Sequence, residues 1–195
     1  MGKDRTAWSR RTRTAVAAVA LVAVLGGVGG CASRGVDVPK PDPKKAAQAL
    51  DAGLEAQGSG RLDDAADRYR DALKYDSKNK YALYNLALID AAQSNYGAAE
   101  DKYRVVLGID PAYTPALFNL AIIRKGQGDD TEATSLYRRI VAADPKNAGA
   151  HMNLGLLLRG HGSKAEGDAE VAKALELDPK LKDPALSELR TASDS

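Results

Sequence analysis

The sequence predicts an all-α protein, an α-solenoid of four stacked helical hairpins closed by a C-terminal capping helix. Three observations carry that expectation. Pro111, Pro145 and Pro179 stand 34 residues apart, and Tyr69, Tyr103 and Tyr137 keep the same interval. From residue 46 to 181 the chain divides without gaps into four segments of that length: 46–79, 80–113, 114–147 and 148–181. No stretch shows the alternation of a strand. A hairpin this short cannot shield its apolar side alone, so such repeats stack and bury a shared core.

Composition narrows the function classes. The 195 residues are 44% hydrophobic and 28% charged, the balance of a globular chain. The net charge is +2, but Lys3, Arg5, Arg10, Arg11 and Arg13 crowd the start with only Asp4 against them. The rest carries a slight acidic excess and lacks the positive field that nucleic-acid binding requires. The single Cys, Cys31, excludes an internal disulfide framework.

Residues 1–30 read as an address. A basic head is followed by the uncharged run from Ala15 to Val28 and then by Gly29 and Gly30. As a helix the run would reach about 21 Å at ~1.5 Å per residue. That is short of the roughly 30 Å hydrocarbon core, which favours a cleaved signal. Val28-Gly29-Gly30-Cys31 resembles the lipobox of bacterial lipoproteins, with Val where Leu is commoner. The resemblance implies that the Cys31 thiol receives a diacylglyceryl group and becomes the new N-terminus. The protein would then be anchored on the extracytoplasmic side of a bacterial cell membrane. An uncleaved anchor helix with an incidental Cys31 is the alternative. Ser9-Arg10-Arg11 also resembles the start of a twin-arginine signal, but Thr12, Arg13 and Thr14 stand where apolar residues would follow, which favours general secretion.

Residues 31–45 form the lipidated Cys and a spacer. Pro39, Pro41 and Pro43 alternate there. An extended polyproline II stretch at about 3.1 Å per residue would lift the domain roughly 40 Å from the bilayer.

Within each repeat, places one to thirty-four can be numbered. A first helix of about 13 residues ends at Gly58-Ser59-Gly60, Ser94-Asn95, Gly126-Gln127-Gly128 or Gly160-His161-Gly162. A second helix runs to Asp110-Pro111, Asp144-Pro145 and Asp178-Pro179, where Pro disfavours the helical conformation of the residue before it. Small residues recur at the eighth place (Gly53, Ala87, Ala121, Gly155) and the twentieth (Ala65, Ala99, Ala133, Gly167), where the two helices should cross. Large residues recur at the seventh (Leu86, Leu120, Leu154), the twenty-fourth (Tyr69, Tyr103, Tyr137, Val171) and the twenty-eighth (Leu73, Leu107, Val141, Leu175) and should fill the core. The pattern resembles the tetratricopeptide repeat family. The outer repeats depart from it, at Ala52 and Ser77 in the first and at His151, Gly167 and Val171 in the fourth. Exposed stack ends call for such departures. His151 is expected at the edge of the core. In residues 182–195, Pro184 to Ala192 should form the capping helix, with Leu186 and Leu189 inward.

The resemblance implies a curved stack whose first helices line a groove with places two, five, six, nine and twelve. The second place offers Tyr81. The fifth gives Leu50, Tyr84, Phe118 and Met152, and the ninth Leu54, Leu88, Ile122 and Leu156. These two places lie one helical turn apart and should make an apolar stripe. The sixth gives Asp51, then Asn85, Asn119 and Asn153. The Asn row resembles the asparagine ladder that some family members use on an extended peptide, since a carboxamide both donates and accepts. It can equally bond within the stack. Lys125 and Arg159 at the twelfth place would add positive charge, but the family's carboxylate clamp has no matching pairs.

The expected function is a membrane-anchored interaction scaffold that holds an extended peptide or helix of an envelope protein. The alternative is a structural assembly factor for a pilus, secretion or cell-wall complex, acting by self-association or convex-face contacts. No catalytic residues, metal or cofactor are expected: His151 and His161 lack a ligand set at known spacing, and no phosphate-binding loop appears. Neither nucleic acid nor a small-molecule substrate is expected as a partner.

Overall fold

The computed structural model describes residues 39–183. These form eight helices, with no strand among the described residues: α1 (Pro43–Gly58), α2 (Leu62–Tyr75), α3 (Lys80–Ala92), α4 (Tyr96–Ile109), α5 (Thr114–Gly126), α6 (Asp130–Ala143), α7 (Ala148–Gly160) and α8 (Lys164–Leu177). Each helix packs on its neighbours in sequence, most closely within the hairpins α1–α2, α3–α4, α5–α6 and α7–α8. The basic head, the apolar run, Cys31 and the expected capping helix lie outside the described residues.

The hairpins stack as two layers. On one side α3, α5 and α7 are neighbours: Asn119 donates to the Tyr84 hydroxyl (3.1 Å), and the Phe118 ring lies beside Gly149. On the other, α4, α6 and α8 are tied by Arg104–Glu132 (2.7 Å) and Arg138–Glu166 (2.8 Å). Both pairs join the twenty-fifth place of one repeat to the nineteenth of the next. The first repeat lacks this tie because Ala98 stands at the acceptor place, and Arg70 pairs instead with Asp67 of its own helix.

Local chemistry sets the helix ends. In every repeat the chain turns from the first helix to the second through a left-handed residue at the fifteenth place: Gly60, Ser94, Gly128 and Gly162, with φ between 64° and 84°. Glycine adopts this conformation without a Cβ penalty, and Ser94 does not. Each second helix stops at an Asp. Asp76, Asp110, Asp144 and Asp178 all leave the helical region, and each side chain accepts from the backbone N–H two residues on, at 3.0–3.2 Å. The first repeat ends in the same way although Ser77 replaces Pro. The Asx turn, not the proline, is thus the shared stop signal.

One boundary differs from expectation. Pro43, placed in the extended spacer, is the first residue of α1. Asp42 caps this helix by accepting from the N–H groups of Lys44 and Lys45, both at 3.1 Å. Pro at the first helical position sacrifices no hydrogen bond, since that N–H has no partner within the helix.

The core follows the repeat. Leu120, Leu154, Ala87, Ala121, Ala65, Ala99, Ala133 and the three tyrosines at place twenty-four are buried. The twenty-eighth place is a correction. Leu73, Leu107, Val141 and Leu175 are only half-buried at the margin, while the twenty-seventh place (Ala72, Val106, Ile140, Ala174) is fully enclosed. The helix turns by about 100° per residue, so a one-place error separates the core face from its edge.

Small residues set the hairpin spacing. A Cβ on Gly155 would lie 2.7 Å from the Gly167 carbonyl oxygen, and one on Gly167 2.7 Å from that of Gly155. The backbones of α7 and α8 therefore touch. In the first repeat it is the Tyr69 ring that fills the space over Gly53, and a Cβ there would meet it at 2.5 Å.

Candidate functional site

The layer of first helices carries the candidate site. Helix geometry brings places two, five, six and nine to one face of α3, α5 and α7. Tyr81 and Ile122 are each 50% exposed, and Leu54 is 48% exposed. Leu88, Leu156, Tyr84 and Phe118 are half-buried. Tyr84 packs edge-on against Tyr113 (5.4 Å between centroids), and Phe118 edge-on against Tyr137 (5.5 Å). These rings are held by the core behind them and present their outer parts to the surface. The stripe crosses three repeats without a charge.

The carboxamides do not float. Asn85 donates to the Tyr81 carbonyl (2.8 Å), Asn119 to Pro115 (2.9 Å) and Asn153 to Gly149 (2.9 Å), each one turn back in its own helix. Each amide nitrogen carries two N–H donors, and no Oδ1 of the three accepts a hydrogen bond among the described residues. The row is thus oriented by the stack and retains the capacity to pair outward. Of the two readings of the Asn row, bonding within the stack is the one these contacts show.

Two expected groove residues sit elsewhere. Met152 is 7% exposed and packs with Val171, Ala174 and the partly buried Leu181. Arg159 does not offer a charge to the face. It donates to Asp168 (2.7 Å) and to both oxygens of Asp183 (2.9 and 3.0 Å). Both positions are claimed by α8 together with the residues after it, Leu181 at Met152 and Asp183 at Arg159. Lys125 is exposed and makes no ion pair among the described residues, so it is the cation at this end of the face. His151 is buried, with Nδ1 2.5 Å from Glu170 and Nε2 3.1 Å from the Pro145 carbonyl, a structural link between α7 and α8.

Sequence reasoning missed a cluster at the junction of the second and third repeats. Lys80 Nζ lies 5.2 Å from the centroid of Tyr81 and 5.1 Å from that of Tyr113, and it donates to Asp110 at 2.6 Å. The hydrogen bond with Asp110 raises the Lys80 pKa, and the same bond lowers that of Asp110. One signal was available: Tyr113 stands where Asn79 and Asn147 cap the neighbouring repeats.

The outer layer is mostly charged. Arg124 pairs with both Glu100 and Glu132, and Arg104 pairs with the same two carboxylates. Apolar exposures in this layer are Leu62 on α2 and Tyr96, Val105 and Ile109 on α4.

A family model described as the tetratricopeptide repeat matches residues 50–114 and 118–181. Among solved structures, a crystal structure of MamA is 23% identical, covers 71% of this chain and 81% of its own, and superposes with a TM-score of 0.63. A tetratricopeptide repeat protein from Parabacteroides merdae is 20% identical over 71% of this chain and 55% of its own, with a TM-score of 0.64. The first such domain of Spaghetti (RPAP3), bound to the HSP90 peptide SRMEEVD, is 22% identical over 63% of this chain and 97% of its own, with a TM-score of 0.58. At these identities the likeness is one of fold. No curated protein matches the chain.

Proposed function

Because the chain belongs to the tetratricopeptide repeat family, whose fold serves as a protein interaction scaffold, we propose that its first-helix face binds an extended peptide or an amphipathic helix of an envelope protein, with Cys31 as a lipid anchor. The observation that carries this reading is the uncharged stripe of Tyr81, Tyr84, Leu88, Phe118, Ile122 and Leu156, flanked by oriented carboxamides. Apolar side chains left partly exposed along one face mark a contact surface on a folded protein. The carboxamides suit a main chain whatever its side chains are. A structural neighbour that holds a peptide supports the same reading. Anchoring is supported by the basic head, the short apolar run and the small residues before Cys31. Several acyl chains hold a membrane firmly, at about 0.8 kcal/mol per buried methylene.

Replacing Tyr81 by Ser and Ile122 by Asp tests the groove. Both side chains are half exposed, so helicity should persist while capture of the envelope partner is lost. Undiminished capture would place the contact elsewhere. Cys31→Ser should release the protein from the membrane fraction, and lipid label retained on that variant would refute the anchor.

A second reading has one specific observation in its favour. Val105 and Ile109 on α4, 50% and 38% exposed and one helical turn apart, offer an outer-layer contact through which the protein would act as an assembly factor.

A further inference from the structure

Two tyrosine rings meet at 79° with centroids 6.3 Å apart, and the cation between them is the chain's own. Lys80 Nζ lies just over 5 Å from both rings, within the distance at which a ring face attracts a cation, and its ion pair with Asp110 closes the third side. Two aromatic faces and a carboxylate around one ammonium make a cation cage.

Three features distinguish it from an ordinary surface ion pair. The third repeat gives up a side-chain helix cap for it: Asn79 and Asn147 cap α3 and α7, whereas Tyr113 makes no such bond at α5. A local rule broken at one repeat of four points to a role beyond folding. Tyr81 is half exposed, and an open cleft of about 360 Å³ runs beside the cage between Tyr81, Ile109, Asp76 and Asp110. Finally, Lys80 is a flexible chain at the first position of α3 and can swing aside. The cleft would then hold two carboxylates, Asp76 and Asp110, against Lys78 alone.

We propose that this cage takes an ammonium or guanidinium group from the bound partner, with Lys80 as its resident stand-in. This deepens the groove reading and rests on it for the source of the cation. Tyr81 belongs to the groove face, and Tyr84, in the apolar stripe, packs against Tyr113. The partner segment would therefore carry a Lys or Arg just beyond its apolar residues. Lys80 imposes selectivity, since only a cation that also gains contacts along the groove displaces it.

Lys80→Ala in the otherwise intact chain empties the cage. Tetramethylammonium and N-acetyl-lysine amide are the probes, and the ring resonances of Tyr81 and Tyr113 are the readout. The variant should bind both saturably, at least tenfold more tightly than the unsubstituted chain, and adding Tyr81→Leu should abolish the response. Rings that do not respond, or a response that survives Tyr81→Leu, overturn the cage. Binding of tetramethylammonium without the lysine derivative overturns the peptide source and assigns the cage to a free quaternary ammonium ligand. Ile122→Asp, which disables the groove, should leave both titrations unchanged, so the cage and the groove fail separately.

Discussion

At the residue scale, the fold carries two local costs. Ser94 sits at φ 64° where the other three repeats have Gly. A left-handed conformation costs a non-Gly residue about 1–2 kcal/mol, part of which is offset by the greater freedom of Gly in the unfolded chain. Ser94→Gly should therefore stabilise the protein by about 0.5–1 kcal/mol in urea unfolding at pH 7. The second cost lies in the tyrosines. Tyr69 donates to Gln57 (2.6 Å), but the buried hydroxyls of Tyr103 and Tyr137 have no hydrogen-bond partner among the described residues. Gln57 stands at the twelfth place, where the next two repeats have Ala91 and Lys125. Burial pushes the Tyr137 pKa up to about 12 and raises that of Tyr103 as well. The folded value lies above the unfolded one of about 10. Stability is therefore complete below pH 10 and falls as pH rises further, because the unfolded chain releases the proton first. The slope is about 1.4 kcal/mol per pH unit for each such group. Replacing both by Phe should flatten the loss between pH 10 and 12 without lowering stability at pH 7. Urea unfolding across that range is the check.

At the scale of elements, the two glycine classes separate. Gly155 lets α7 and α8 touch, and Ala there would meet backbone atoms at 2.7 and 2.9 Å. The hairpin would have to open, at a cost of about 1–3 kcal/mol. Gly149, in the first turn of the same helix, would place its Cβ 3.5 Å from Phe118, an ordinary contact. Gly149→Ala should be neutral or stabilising by about 0.5–1 kcal/mol, since Gly weakens a helix. Gly155→Ala should lower the thermal midpoint, whereas Gly149→Ala should leave it unchanged or raise it.

Much at this scale was legible in the sequence. The hairpins, their turns and the crossing points at places eight and twenty were fixed by the period alone. The stop signal was legible only in part: Pro111, Pro145 and Pro179 mark three repeats, whereas the Asx turn of Asp76, Asp110, Asp144 and Asp178 ends all four second helices. The core face was off by one place at the end of each second helix, since both neighbouring places are apolar. Of the candidate site, the stripe and the Asn row were expected from the family resemblance, which supplies the places that face the groove. The buried settings of Met152 and Arg159 were not, because α8 and Leu181 cover the first, and Asp168 with Asp183, which lies beyond the last repeat, binds the second.

For the whole stack, each repeat touches only its neighbours, so damage should remain local. Arg159 binds Asp168 of α8 and Asp183 beyond it. Arg159→Ala should accelerate amide hydrogen exchange in α8 and leave α1 to α4 protected, since opening is confined to the affected unit. Loss of protection spread evenly over the chain would show a single cooperative block. At the other end, α2 covers its outer side with Asp64, Asp67, Arg68, Arg70, Asp71 and Lys74, paired at three-residue spacing. Such exposed pairs contribute little stability, about 0–1 kcal/mol each, but keep that end polar.

The first-helix face is the proposed contact surface of the whole stack. A photoreactive amino acid at position 122 or at position 105 in cells tests this directly, since both native side chains are equally exposed and lie in opposite layers. A first-helix contact gives a cross-linked envelope partner from position 122 and none from 105. The same partner trapped from position 105 and not from 122 would contradict it.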